Sequence, residues 1–127
     1  MQLRIPIILL LIYLYTNCLA QDKQTIRVNI KDYNDTSLLL TSYYGDKIRL
    51  VDTAYSSNGE FEFSNNEKLG GGIYMAVSEG KSKLFEFIIN GESSITFSTD
   101  TLSYVQNMKV RGSKENKVFL NYVIFNE

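Results

Sequence analysis

The sequence predicts an all-β fold, an antiparallel β-sandwich or open barrel of about 7–8 short strands with a C-terminal α-helix. Three observations predict it. Apolar and polar residues alternate in short runs, as in Thr25-Ile26-Arg27-Val28-Asn29-Ile30 and Glu60-Phe61-Glu62-Phe63. Turn residues cut the chain roughly every 8–12 positions. At Gly112-Ser113 the period changes from that of strands to that of a helix.

In Thr25–Ile30 the residues Ile26, Val28 and Ile30 share one face, the mark of a half-buried strand. Asp32-Tyr33-Asn34-Asp35 turns the chain, because Asn and Asp side chains hydrogen-bond their own backbone. A more continuously apolar strand follows over Ser37–Tyr43. Tyr44-Gly45-Asp46-Lys47 then returns the chain into Ile48–Tyr55. This spacing predicts a meander of neighbouring antiparallel strands. Asn58-Gly59 reads as a type I′ hairpin turn into Glu60–Ser64, with phenylalanines inward and glutamates outward. After the polar, glycine-rich loop Asn65–Gly72 come strands at Ile73–Ser78 and Leu84–Ile89. Asn90-Gly91 reads as a second hairpin into Ser94–Phe97, and Val105–Arg111 as the last strand.

Ser113 is a good helix N-cap and Glu115 suits the positive end of a helix. Val118, Phe119, Tyr122 and Ile124 are the apolar positions of the helix so begun. It meets no stop signal before Glu127, so residues 112–127 read as the start of a longer helix or linker.

Ahead of the strands, residues 1–20 read as an export signal. Arg4 supplies positive charge, Ile5–Leu14 is apolar, and Cys18-Leu19-Ala20 offers small residues for cleavage between Ala20 and Gln21. The apolar run is shorter than the ~20 residues of a membrane-spanning helix, so no stable span is expected after cleavage. Lipid attachment at Cys18 is disfavoured, since Tyr15-Thr16-Asn17 lacks the small aliphatic frame that such processing prefers. The address implied is the periplasm or exported cell envelope. The domain proper is residues 21–111.

Removal of residues 1–20 leaves 127 − 20 = 107 residues without cysteine, and the chain has no histidine. That excludes a disulfide framework, a thiol redox centre and a Cys/His zinc site. The exported part carries 12 basic residues (13 less Arg4) against 14 acidic ones, with no basic block, which argues against nucleic acid.

Candidate sites are few. Gly70-Gly71-Gly72 lacks the Lys and Ser/Thr of a phosphate loop and precedes a strand, so it reads as a turn. Glu60 and Glu62 lie roughly 7 Å apart on one strand face, but alternation with Phe61 and Phe63 places both in water rather than in an acid/base site. Tyr43 and Tyr44, beside Gly45, are the best-placed aromatic ligand contacts. Asn34-Asp35-Thr36 has the form of an N-glycosylation sequon. Thr53 and Thr101, each after an Asp and before an apolar residue, are candidate O-glycosylation sites. No catalytic, cofactor-binding or metal-ligating residue stands out.

Read together, the chain resembles the uncharacterised β-rich domain that precedes a thioredoxin-like or peroxiredoxin-like domain in exported proteins of some Gram-negative bacteria. The resemblance rests on Tyr44-Gly45-Asp46-Lys47, Val51-Asp52-Thr53-Ala54, Gly59-Glu60-Phe61-Glu62-Phe63 and Gly71-Gly72-Ile73-Tyr74. It continues through Phe85-Glu86-Phe87, Phe97-Ser98-Thr99-Asp100-Thr101, Met108-Lys109-Val110 and Gly112-Ser113-Lys114-Glu115-Asn116, to Phe119 and Tyr122. It implies a non-catalytic accessory domain, with a protein partner or the chain's own downstream thioredoxin-like domain as its contact, and leaves homodimerisation open. No Cys-x-x-Cys pair occurs, so no redox residue carries over. The alternative expectation is a free-standing envelope protein that binds a glycan or a peptide.

Overall fold

The computed structural model describes residues 23–126; the export signal, Cys18 and the Ala20-Gln21 cleavage point lie outside the described residues. The elements in chain order are β1 (Gln24–Lys31), β2 (Ser37–Tyr44), β3 (Lys47–Tyr55), β4 (Glu60–Asn65), β5 (Gly72–Ser78), β6 (Lys83–Ile89), β7 (Ser94–Asp100), β8 (Lys109–Arg111) and α1 (Lys114–Asn126). They build two four-stranded sheets, β4-β1-β7-β8 and β3-β2-β5-β6. The fold is therefore a sandwich and not a closed barrel.

Alternation in β1, β4 and β7 turns Ile26, Val28, Phe61, Phe63, Ile95 and Phe97 toward the second sheet. That sheet answers with Leu38, Leu40, Ala76, Phe85, Phe87 and Ile89. The rings of Phe87 and Phe97 meet between the sheets at 4.7 Å, and Phe85 lies 5.6 Å from Phe97. Each of these side chains larger than alanine contributes about 1.5–3 kcal/mol by leaving water. The buried Gln24 side chain ties the layers at one end. Its Nε2 donates to the Glu92 carbonyl (2.9 Å) and its Oε1 accepts from the Leu69 N–H (2.9 Å).

The connectivity is not a meander. β1 lies between β4 and β7 and pairs with β7 in parallel, Ile26 opposite Ile95 and Val28 opposite Phe97. Both Asn-Gly steps also differ from expectation. β3 and β4 belong to different sheets, as do β6 and β7, so Asn58-Gly59 and Asn90-Gly91 lie in corners between sheets. Gly59 and Gly91 have positive φ (77° and 78°), but neither asparagine does, whereas a type I′ turn needs both. At Gly59 the reason for glycine is close approach: a Cβ there would sit 2.2 Å from the Ile30 carbonyl oxygen. The tight two-residue hairpin is instead Gly45-Asp46, closed by Tyr44 opposite Lys47.

The last strand is shorter than the sequence predicts, Lys109–Arg111 in place of Val105–Arg111. Thr99 and Asp100 capture the preceding residues in a turn. The Thr99 hydroxyl donates to the Tyr104 carbonyl (2.7 Å), and Asp100 Oδ1 accepts from the N–H groups of Leu102 (2.9 Å) and Ser103 (3.1 Å). Asn107 Nδ2 donates to both Asp100 oxygens at 3.0 Å, and this bond leads the causes that hold the Asp100 carboxyl below its ordinary range.

Ser113 is the N-cap expected of it, its Oγ accepting from the Asn116 N–H at 3.2 Å. Glu115 reaches sideways, accepting from Asn90 Nδ2 at 2.9 Å. The packed face of α1 is Asn116 and Leu120, with Phe119 and Val123 half-buried; Val118, Tyr122, Ile124 and Phe125 are exposed. Asn116 is decisive. Its Oδ1 accepts from the Ile88 N–H and its Nδ2 donates to the Ile88 carbonyl, both at 2.7 Å. β6 is an edge strand, so one side-chain amide takes the place of a neighbouring strand and covers backbone groups that must be paired when buried.

Candidate interaction surface

The outer faces of the two sheets differ in kind. On the first, alternation with the core residues turns out Arg27, Asn29, Glu60, Glu62, Thr96 and Ser98, and Arg27 pairs with Glu62 at 3.3 Å in solvent. On the second, the same alternation turns out apolar side chains. Met75 lies between the core-facing Tyr74 and Ala76, so it points outward beside Thr41 of β2 and Glu86 of β6. Ile73 stands opposite Ile88, and Tyr43 opposite Ile48. Met75 is buried by its neighbours, but Ile48 (62%), Leu50 (58%), Tyr43 (49%) and Ile73 (44%) are left exposed.

This apolar strip runs across to Ile88 and onto α1. There Ile88, Val118, Phe119 and Tyr122, with the stems of Lys114 and Glu115, line a groove of about 520 Å³. At the other end of the sheet β3 is an edge strand of nine residues with one side of its backbone unpaired. Lys47, Arg49 and Asp52 distribute charge along it, which discourages indiscriminate pairing.

Tyr43 and Tyr44 flank the Gly45-Asp46 hairpin, as their spacing predicts, but they do different things. The Tyr43 hydroxyl donates to Glu86 Oε1 at 2.7 Å, and Lys83 Nζ donates to the same oxygen at 3.2 Å. The Tyr43 bond is the chief reason the Glu86 carboxyl is held below its ordinary pKa and the Tyr43 phenol above its own. Tyr44 is more exposed, with the Arg49 guanidinium 5.6 Å from its ring centroid. Thr53 is half-buried in β3, whereas Thr101 and Asn34 are exposed in loops. Glu60 and Glu62 are both on the wet face, as alternation predicts, and Gly70 and Gly71 lead into β5 rather than a helix.

The arrangement is suited to contact more than to acid/base chemistry. Among the described residues no three of His, Cys, Asp and Glu are placed to hold a metal ion, and no helix is long and apolar enough to cross a membrane. The apolar outer face escaped the reading of sites, although β2 and β5 carry its signal. Leu38-Leu39-Leu40 and Ile73-Tyr74-Met75-Ala76-Val77 are apolar at both parities, the pattern of strands covered on both sides.

A family model described as Domain of unknown function (DUF4369) matches residues 24–119, from the first strand into the helix. No curated protein and no solved structure matches the chain.

Proposed function

The chain belongs to this family of unknown function, DUF4369, and from that premise we propose that it is a non-catalytic interaction domain of an exported, thioredoxin-like protein. The observation that carries the reading is the asymmetry of the sandwich. A sheet that is wet on one side only normally has something on the other, and contiguous exposed apolar surface marks contact with another protein. Tyr43, Ile48, Leu50 and Ile73 supply such a surface, and the β3 edge beside it can accept a further strand. The partner is a folded redox domain joined downstream, and the role is to hold that domain in place. The resemblance of the chain to domains found ahead of thioredoxin folds supports this choice of occupant, as does the export signal read at its start.

Two measurements test it. The native reading frame beyond codon 127 should encode a thioredoxin-like segment with a Cys-x-x-Cys or peroxidatic cysteine; a stop codon there removes the proposed partner. In the longer protein, Ile48→Lys combined with Leu50→Lys should free the two domains from one another. Expected are separate thermal transitions and a larger radius by small-angle scattering, with the sandwich itself as stable as before. Unchanged docking in that variant would count against the apolar face as the contact.

A further inference from the structure

A second feature lies at the β3 end of the same sheet and does not depend on the docking reading. Three strands bring one row of side chains together: Ser42 of β2 is opposite Arg49 of β3 on one side and Tyr74 of β5 on the other. The row borders a cavity of about 440 Å³, also lined by Tyr43, Ile73 and Gly70–Gly72.

Each member has capacity left over. Arg49 has no carboxylate partner among the described residues, only the Tyr44 ring. Ser42 is largely covered, and its hydroxyl, which keeps contact with solvent at the cavity, makes no hydrogen bond among the described residues. That hydroxyl can both donate to and accept from a ligand in the cavity. The Tyr74 hydroxyl donates to the Gly70 carbonyl at 2.7 Å, which fixes the glycine segment as a wall and leaves the phenol oxygen able to accept. Gly70 has neither positive φ nor any atom within 4 Å of where a Cβ would lie. Neither strain nor crowding requires glycine there. Its effect is to keep the wall free of side chains.

We propose that this row is a binding site for a carboxylated sugar, of the uronic acid class. The guanidinium takes the carboxylate in a forked, charge-assisted pair. Ser42, the Tyr74 oxygen and the bare backbone take ring hydroxyls. Arg49 is the one charged residue of the lining; the nearby Glu86 is already engaged by Tyr43 and Lys83. A neutral sugar would make no charge-assisted bond to the guanidinium, and a simple carboxylate would engage Arg49 alone.

Titration of the purified chain with glucuronate, oligogalacturonides, glucose, acetate and a short acidic peptide, followed by amide chemical shifts, tests the site. Expected is saturable binding of the uronates in the millimolar range or tighter, with shifts centred on residues 42–49 and 70–74. Arg49→Ala should weaken it about tenfold or more, and Arg49→Lys should restore only part. Gly70→Val should block binding without lowering the urea midpoint, since the added atoms enter open space. Absence of uronate binding overturns the proposal. So does binding of acetate or the acidic peptide as tight as that of the uronates, or binding indifferent to Arg49→Ala.

Discussion

Asn116 carries more of this fold than its residue type suggests. It is fully buried, and its amide both donates to and accepts from Ile88. Asn116→Ala would strand one N–H and one C=O at the edge of β6, at a cost of about 2–3 kcal/mol. Urea unfolding should show that loss, and the Ile88 amide should lose its hydrogen-exchange protection. Glu86 sets a pH dependence of known sign. Its folded pKa is depressed, first by the Tyr43 hydroxyl and then by Lys83, so its contribution to stability is complete above the unfolded value of about 4.5. That contribution fades as pH falls through the lower folded value. Thermal stability measured from pH 6 to 3 should therefore fall less steeply in Tyr43→Phe than in the unaltered protein. Of these residues, the exposure of Tyr43 and the cap at Ser113 could be read directly from neighbours in sequence. The partners Glu86 and Ile88 could not, because they lie 43 and 28 positions away.

The helix and the edge strand β3 show how an element takes its role from its surroundings. α1 carries apolar residues around most of its circumference, so periodicity alone does not select which side packs. Contact with β6 and β8 selects Asn116 and Leu120, and leaves Val118, Tyr122 and Phe125 outside. Leu120→Ala should cost about 2–4 kcal/mol in urea unfolding, with the cavity it leaves adding to the lost burial. Phe125→Ser, on the exposed side, should change the midpoint little. β3 is similar. Its run Lys47-Ile48-Arg49-Leu50 alternates as any half-buried strand does, but the sheet places Ile48 and Leu50 on the outside. An irregularity in the pairing with β2 between Leu40 and Thr41 lets Ala54 still reach the core.

For the whole molecule, the core is one body shared by two sheets, and Phe97 stands where they meet. Phe97→Ala removes the ring that both Phe85 and Phe87 pack against, and should cost about 3–5 kcal/mol. Loss of a cooperative urea transition, or a midpoint shift of that size, is the expected result. The central pairing of β1 with β7 joins Ile26 to Ile95, so closing it demands a long loop and should make folding slow, in the millisecond-to-second range by stopped-flow. By itself, the sequence determined the all-β class, the positions of the first seven strands and the inward phenylalanines, because a period of two and turn residues are local properties of the backbone. Tertiary structure decided the rest: that β1 runs parallel to β7, that both Asn-Gly steps are corners, and that Arg49, Ser42 and Tyr74 stand in one row. Strand partnership depends on which apolar faces meet across the core, and no local pattern carries that information.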